Sequence, residues 1–472
     1  MSGAGSAVLT RRPPRHLRRL LPTPELRQLL PGVLVLAAAG AGASLNTSMR
    51  LALLPLGLLV VVALAQSPMA RLAFVVLGGL AVLGSSQELS YAKLLYLAGL
   101  CWVMLAAVAS ALRSDNRSPV LSTLLPFVLI STVMIACSGV VALLQGIPFV
   151  DWVRSVTPYL LLVMSPLLAQ DAGGRVPPRH IEWLLVTAGV ISALSFAISQ
   201  LAKRGQSGLE LTHLAFANFP LCAAVFVYAL ARASAGPYRL RWLTLALSVL
   251  AALLVTGTVT NLTMLVGTTV IGAGLTRSQR LLRAVGVGVG LAVVSLALLP
   301  LLASAMGADR DFLMDRYGPQ RLGNVTADHS FQERRMQYRV ALDTWEEDPW
   351  LGAGPGHVFT YSLPFTPYKA TPSLDTPLAL PAKFGAAGLV LTLAGAIAVR
   401  RAYRTVAVRR PHDPWVTTCR GTAFVLLALT PFGATLEDKG LALAAVLLLA
   451  GLIARSTDLG DDAAAALDPP GR

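Results

Sequence analysis

Apolar residues along this chain come in long uninterrupted blocks separated by short polar links. Blocks at 30–45, 51–66, 72–87, 89–112, 119–145, 156–170, 181–201, 212–232, 242–258, 260–276, 284–305, 384–400, 416–434 and 439–455 approach or exceed the length of about 20 residues that a helix needs to cross a bilayer. The pattern predicts an all-α, polytopic transmembrane helix bundle of about 12–14 spans. The first two blocks are short and can equally form one re-entrant pair. One long hydrophilic stretch, 306–383, precedes the last three spans. The layout expected is a basic tail over 1–28, helices over 29–305, the large loop over 306–383, helices over 384–455 and a disordered tail over 456–472.

The polar links differ in charge. Arg71, Arg113, Arg117, Arg175, Arg179, Arg232, Arg239, Arg241, Arg277, Arg280, Arg283 and the set Arg400, Arg401, Arg404, Arg409 and Arg410 fall in one alternating set of links. The other set holds only Arg50, Arg154, Lys203, Arg204 and Lys439 among its short links. By the positive-inside rule the first set is cytoplasmic, which puts both termini inside and the large loop outside. A multi-pass protein of the bacterial plasma (inner) membrane is expected. The basic N-terminus leads into one apolar run and then a second, so a retained cytoplasmic tail fits it better than a cleaved signal peptide.

Composition agrees with lipid as the solvent. Hydrophobic residues make up 55% of the 472 positions and charged residues 13%, against about 25% charge in a soluble domain. The net charge of +15 would suggest nucleic acid in a soluble protein; placed in the links, it reads as topology and as attraction to anionic lipid or a phosphorylated substrate. Cys101, Cys137, Cys222 and Cys419 lie in or beside apolar blocks without metal-ligand spacing.

The loop carries the candidate chemistry. In SFQERRMQYRVALDTW, Ser330 to Trp345, residues Tyr338, Ala341, Leu342 and Trp345 recur at helical spacing and predict an apolar stripe, within which Arg334 falls. An arginine there needs an anionic partner or a wet cavity; Glu333 and Asp328 are the nearest acids in sequence. DPWLGAGPG, Asp348 to Gly356, follows. Pro349 stops the helix, and Gly352, Gly354 and Gly356 permit a tight turn. It has neither the strand before it nor the helix after it that a nucleotide-phosphate loop requires. SLDTPLALPAKFGAAGLVL, Ser373 to Leu391, leads into the next span.

Together these segments resemble the O-antigen ligase and Wzy-type polysaccharide polymerase superfamily of membrane proteins. The shared features are an arginine in an outer-loop helix, a following aromatic and a Pro/Gly turn, here Arg334, Tyr338 and Asp348–Gly356. Lys203-Arg204-Gly205 loosely resembles an earlier arginine-glycine link. The resemblance covers roughly Arg204 to Leu391. In the register of the family's His-Asn pair this chain has Leu374-Asp375, and Lys383 stands where an acidic residue is common.

The resemblance implies a membrane glycosyltransferase that transfers or polymerises glycan from a polyprenyl-diphosphate-linked donor on the outer face, with a glycan or lipid acceptor. It implies arginine contacts to the diphosphate, which here fall to Arg204, Arg334 and Arg339, because a guanidinium stays charged and donates two parallel bonds to phosphate oxygens. Asp375 is the candidate base, with Arg334 the second catalytic candidate. An alternative for Asp375 is a capping role at the Thr376-Pro377 turn. His329 and His357 are possible loop contributors. No metal or other cofactor, and no nucleic-acid partner, is expected. Two other functions remain: a transporter of lipid-linked glycan or polysaccharide, and a family member that has lost its chemistry with the histidine.

Overall fold

The computed structural model describes residues 63–83, 91–113, 117–202, 218–235, 238–255, 286, 329–363, 366–430 and 435–467. Its helices before the loop are α1 (Pro68–Val82, with a π turn at Phe74–Gly78), α2 (Tyr91–Arg113), α3 (Pro119–Leu144), α4 (Phe149–Gly173), α5 (Pro178–Ala202), α6 (Phe219–Ala235) and α7 (Arg239–Val255). After the loop come α9 (Ala379–Ala407), α10 (Pro414–Leu429) and α11 (Lys439–Leu467), with α8 (His329–Glu347), β1 (Phe359–Leu363) and β2 (Thr366–Thr371) inside the loop. Among the described residues, 5 helices are long and apolar enough to cross a membrane, and α1, α6 and α10 are shorter apolar helices.

Local sequence explains how several helices begin. α1, α3 and α10 open with a polar residue followed by proline. Ser67, Ser118 and Asp413 accept the backbone N–H of Ala70 (3.2 Å), Leu121 (3.2 Å) and Trp415 (2.7 Å). Each cap satisfies a donor that the first turn leaves orphaned, and proline at the next position forfeits no helical bond.

Ion pairs fix which helix ends meet. Arg71 at the start of α1 makes a two-bond pair with Asp171 at the end of α4 (2.6 and 2.9 Å), both buried. Arg455, late in α11, reaches Asp413 before α10 (3.0 Å) and Glu182 at the start of α5 (2.7 Å). At the opposite end Lys439, opening α11, donates to the carbonyl of Leu83 just after α1 (3.1 Å). Both α4 and α11 therefore run antiparallel to α1 between two polar ends, and α11 lies parallel to α4. The loop packs on the Lys439 end, hereafter the loop end. The helix-rich core is closed by Trp415, fully buried, whose indole donates to the Leu448 carbonyl (2.9 Å) and carries the Arg455 guanidinium over its ring (4.9 Å).

Several element boundaries differ from those the hydropathy predicts. α4 begins at Phe149 rather than 156, because Pro148 starts it and Asp151 and Arg154 sit in its first turns. α11 continues to Leu467, so residues 456–467 of the expected disordered tail are helical: an Ala-rich run costs little to extend an existing helix. The chain is mostly helical, but the loop contains an antiparallel hairpin pairing Phe359 with Thr371 and Tyr361 with Lys369. The spans expected at 30–45 and 260–276, all but Gly286 of that at 284–305, most of that at 51–66, the N-terminal tail and the loop segment 306–328 lie outside the described residues.

Candidate functional site

The Pro/Gly turn after α8 docks into a broken helix. α9 starts as one short turn, Ala379 to Phe384, and breaks at Gly385, whose φ of 58° and ψ of −160° only glycine adopts readily. A break of this kind strands carbonyls on one side and N–H groups on the other. The turn satisfies both: Ala353 and Gly354 donate to the carbonyls of Ala382 (2.8 Å) and Lys383 (3.1 Å), while Ala386 donates to the carbonyl of Pro349 (2.8 Å). The backbones approach so closely that a side chain at Gly352 would meet Lys383 and Phe384 backbone atoms at 2.6 to 2.7 Å, and one at Gly385 would collide with the Trp350 carbonyl group. Leu380 and Phe384 on the short turn anchor it among α3 and α4, with the Phe384 ring edge-on to Tyr159 (centroids 5.0 Å apart).

Beneath the break is a buried ion pair. Lys383, 2% exposed, donates to Glu437 (2.6 Å), which also accepts from Tyr159 Oη (2.9 Å). Glu437 lies in the 3-10 turn before α11, so this pair ties the loop to the last span.

α8 lies over the hairpin and the start of α9. Its buried line is Gln337, Ala341 and Thr344, rotated from the predicted stripe: Ala341 is buried, whereas Leu342 is exposed. Arg334 sits on the rotated line, half-buried, and Arg335 and Arg339 face solvent. The rotation has a polar cause. Gln337 donates to Tyr361 Oη (3.0 Å), and its carbonyl oxygen accepts the backbone N–H of Asp375 (2.6 Å). Glu333 accepts from Tyr361 (3.0 Å) and from Lys369, the cross-strand partner of Tyr361. The hydrogen bond that Lys369 donates to Glu333 raises the pKa of Lys369, and burial raises that of Tyr361. Glu333 is thus paired with Lys369 in the hairpin, and among the described residues no hydrogen bond or ion pair engages the Arg334 guanidinium.

Arg334 and Asp375, 41 residues apart in sequence, come close enough that the Arg334 charge acts on the Asp375 carboxyl. Desolvation raises the Asp375 carboxyl above its ordinary value; Arg334, the strongest charge acting on it, opposes the rise, Glu333 and Glu437 add to it, and Lys369 opposes it. The residue remains open to solvent, so the desolvation comes from crowding around the carboxyl rather than full enclosure. Capping of the turn falls to Thr376, fully buried, whose Oγ1 accepts the Leu378 N–H (3.2 Å). The capping role considered for Asp375 is therefore filled by its neighbour, and its carboxylate is left without a hydrogen-bond partner among the described residues. Leu374, in the register of the family histidine, is completely buried in the loop core with Phe359, Tyr361, Leu363 and Ala382.

The other candidates divide. Arg339 is exposed and is not among the charges acting on Asp375; Lys369 occupies that role. Arg204 lies outside the described residues, as does the side chain of His329, the first residue of α8. His357 is not at Asp375. It lines a separate cavity of about 240 Å³ with Gln145, Ile147, Thr344, Glu347, Asp348 and Ala353. Burial holds its imidazole below the ordinary histidine range, Glu347 opposes this and Lys383 adds to it. Sequence reasoning missed Gln337, Lys369 and the Lys383–Glu437 pair. Gln337 and Lys369 are ordinary surface residue types whose role comes only from the hairpin. The lysine in place of a common acid at 383 was visible, but its partner lies 54 positions on.

No protein-family model matches the chain, and no curated protein matches it.

Proposed function

We propose that this chain is a membrane glycosyltransferase of the O-antigen ligase and polymerase type, acting at the loop end of its helix bundle on a polyprenyl-diphosphate-linked glycan. The loop end then faces the outer side of a bacterial plasma membrane, as the charge of the links suggests. The observation that carries the reading is that the Gln337–Asp375 bond pins the Asp375 segment to the α8 face that carries Arg334, whose charge acts on the Asp375 carboxyl. Among the described residues neither group has a hydrogen-bond partner, and the pKa of the carboxyl is raised.

The chemistry follows from those two groups. The hydroxyl oxygen of an acceptor sugar attacks the anomeric carbon of the donor. The bond from that carbon to the diphosphate oxygen breaks, and the polyprenyl diphosphate leaves with the electron pair. Asp375 takes the hydroxyl proton as general base, a role that a raised pKa improves. Arg334 offers two parallel N–H donors to the charge growing on the diphosphate, in a partly desolvated site where such contacts are strongest. Gln337 positions Asp375, and the docked turn with the Lys383–Glu437 pair holds the loop over the membrane surface, where donor and acceptor meet.

The test is direct. Purified protein in lipid nanodiscs, given a polyprenyl-diphosphate-linked oligosaccharide and an oligosaccharide acceptor, should release polyprenyl diphosphate and lengthen the acceptor. Movement of the intact donor across a vesicle bilayer without release would instead favour a transporter.

A further inference from the structure

The cavity containing His357 is walled by three separate parts of the chain: the α3–α4 turn through Gln145 and Ile147, the last turn of α8 through Thr344, Glu347 and Asp348, and the glycine turn through Ala353 and His357. Among the described residues no hydrogen bond or ion pair engages the Gln145 amide, the Glu347 carboxylate or the His357 imidazole. The Thr344 hydroxyl is spent on the Val340 carbonyl (2.8 Å), and one Asp348 oxygen accepts the Leu351 N–H (3.3 Å). The His357 ring is set edge-on against Phe359, centroids 5.0 Å apart.

This lining selects a ligand class by exclusion. It contains two carboxylates and no lysine or arginine, so it repels a diphosphate or any other anion. Only Ile147 and Ala353 are apolar, too little surface for a lipid tail. A bare ammonium would satisfy the carboxylates but leave the amide and imidazole N–H groups without acceptors. Hydroxyl groups, which donate and accept at once, suit carboxylate, amide and neutral imidazole together. At about 240 Å³ the cavity is smaller than the roughly 300–1,000 Å³ of pockets for drug-sized ligands, so it has room for one ring and not for a chain. Its position fits as well. Thr344 lies on the same buried line of α8 as Arg334, ten residues on, or roughly 15 Å along the helix.

We propose that this cavity is a saccharide subsite that takes one pyranose ring of the acceptor glycan, a few sugars back from the reacting hydroxyl. Assignment of that ring to an acceptor rests on the transferase reading above; binding of the saccharide does not. An acceptor chain running along α8 leads away from the diphosphate at Arg334 and into a cavity that excludes phosphate.

The experiment uses the full chain with the exposed Cys101 and Cys137 changed to serine and Ala353→Cys as reporter inside the cavity. Methyl pyranosides of a hexose, a 6-deoxyhexose and an N-acetylhexosamine are offered as probes, with inorganic diphosphate as the anionic control. The expected result is that at least one pyranoside slows modification of the reporter thiol by a methanethiosulfonate reagent several-fold and saturably, and that diphosphate does not. Glu347→Gln and His357→Ala should remove the protection, and a reporter at the exposed Thr360→Cys should show none. Should Ala353→Cys not fold, slowed hydrogen exchange of segment 344–358 in the unaltered chain, on addition of the same pyranosides, gives the same reading. Failure of every pyranoside to protect, protection by diphosphate, or protection that survives both variants would overturn the proposal. Protection by a sugar in a protein that releases no polyprenyl diphosphate would leave the subsite standing and overturn the transferase reading alone.

Discussion

The carbonyl oxygen of Gln337 accepts the backbone N–H of Asp375 at 2.6 Å, which holds the Asp375 segment against α8, where Arg334 lies one turn earlier and acts on the carboxyl through its charge. Gln337→Leu removes this bond and the one to Tyr361, leaving a backbone donor without its acceptor at a cost of about 1–3 kcal/mol. The variant should insert normally, melt lower than the parent protein and be cut more readily by protease near Asp375. An unchanged melting curve and digestion pattern would mean that the segment is held by other contacts.

The docked turn should tolerate almost no side chain at Gly385. Gly385→Ala meets both a backbone conformation that alanine avoids, costing about 1–3 kcal/mol, and a collision with the Trp350 carbonyl group. It should lose ordered packing of the loop while the span itself still inserts, seen as proteolysis confined to the loop. Wild-type protease resistance in Gly385→Ala would show that the break in α9 is dispensable.

Lys383 and Glu437 offer a charge cycle. Lys383→Met leaves Glu437 largely buried with only Tyr159 as donor among the described residues, a loss on the order of 3–5 kcal/mol. The double change Lys383→Glu with Glu437→Lys should recover most of it, because the pair is re-formed with its polarity reversed. No recovery in the double variant would show that the loop end requires these residues for something other than their mutual attraction.

Much of this fold is legible in the sequence because lipid demands it. Long apolar blocks and the arginines that punctuate them announce helices such as α2 and α3 within a few residues, and Ser-Pro and Asp-Pro mark helix starts. The interruption of α9 was not legible in hydropathy: it depends on Gly385 and the distant turn at Pro349–Gly354 completing each other's backbone bonds. Arg334 and Asp375 could be picked out by resemblance, and their proximity could not, because it is set by a hairpin and by Gln337, a polar residue on a face that apolar counting passes over. The same hairpin explains why Arg339, two positions past Gln337, looks outward while Lys369 takes its place.

Asp375 should reveal itself by pH. Desolvation raises its pKa in the folded protein above the ordinary value of 3.8, so the fold favours the protonated form. The stabilising contribution is complete below the unfolded pKa and is lost as pH rises through the folded one, which makes the ionised carboxyl a cost at neutral pH. Asp375→Asn should therefore melt at or above the parent protein at neutral pH and lose that advantage below the unfolded value. The same variant should lower glycan transfer by roughly a hundredfold or more. Lower stability together with undiminished transfer would make Asp375 a structural residue.

The most direct measurement is release of polyprenyl diphosphate by the purified chain in nanodiscs, compared between the parent protein and Arg334→Lys at equal incorporation. Lysine keeps the charge but presents a point donor where the guanidinium presents a fork. Transfer in Arg334→Lys should fall at least tenfold with the helix bundle intact, and further in Arg334→Ala. Undiminished release in Arg334→Ala, or no release by the parent protein, would contradict the assignment of this site as the place where the glycan leaves its diphosphate.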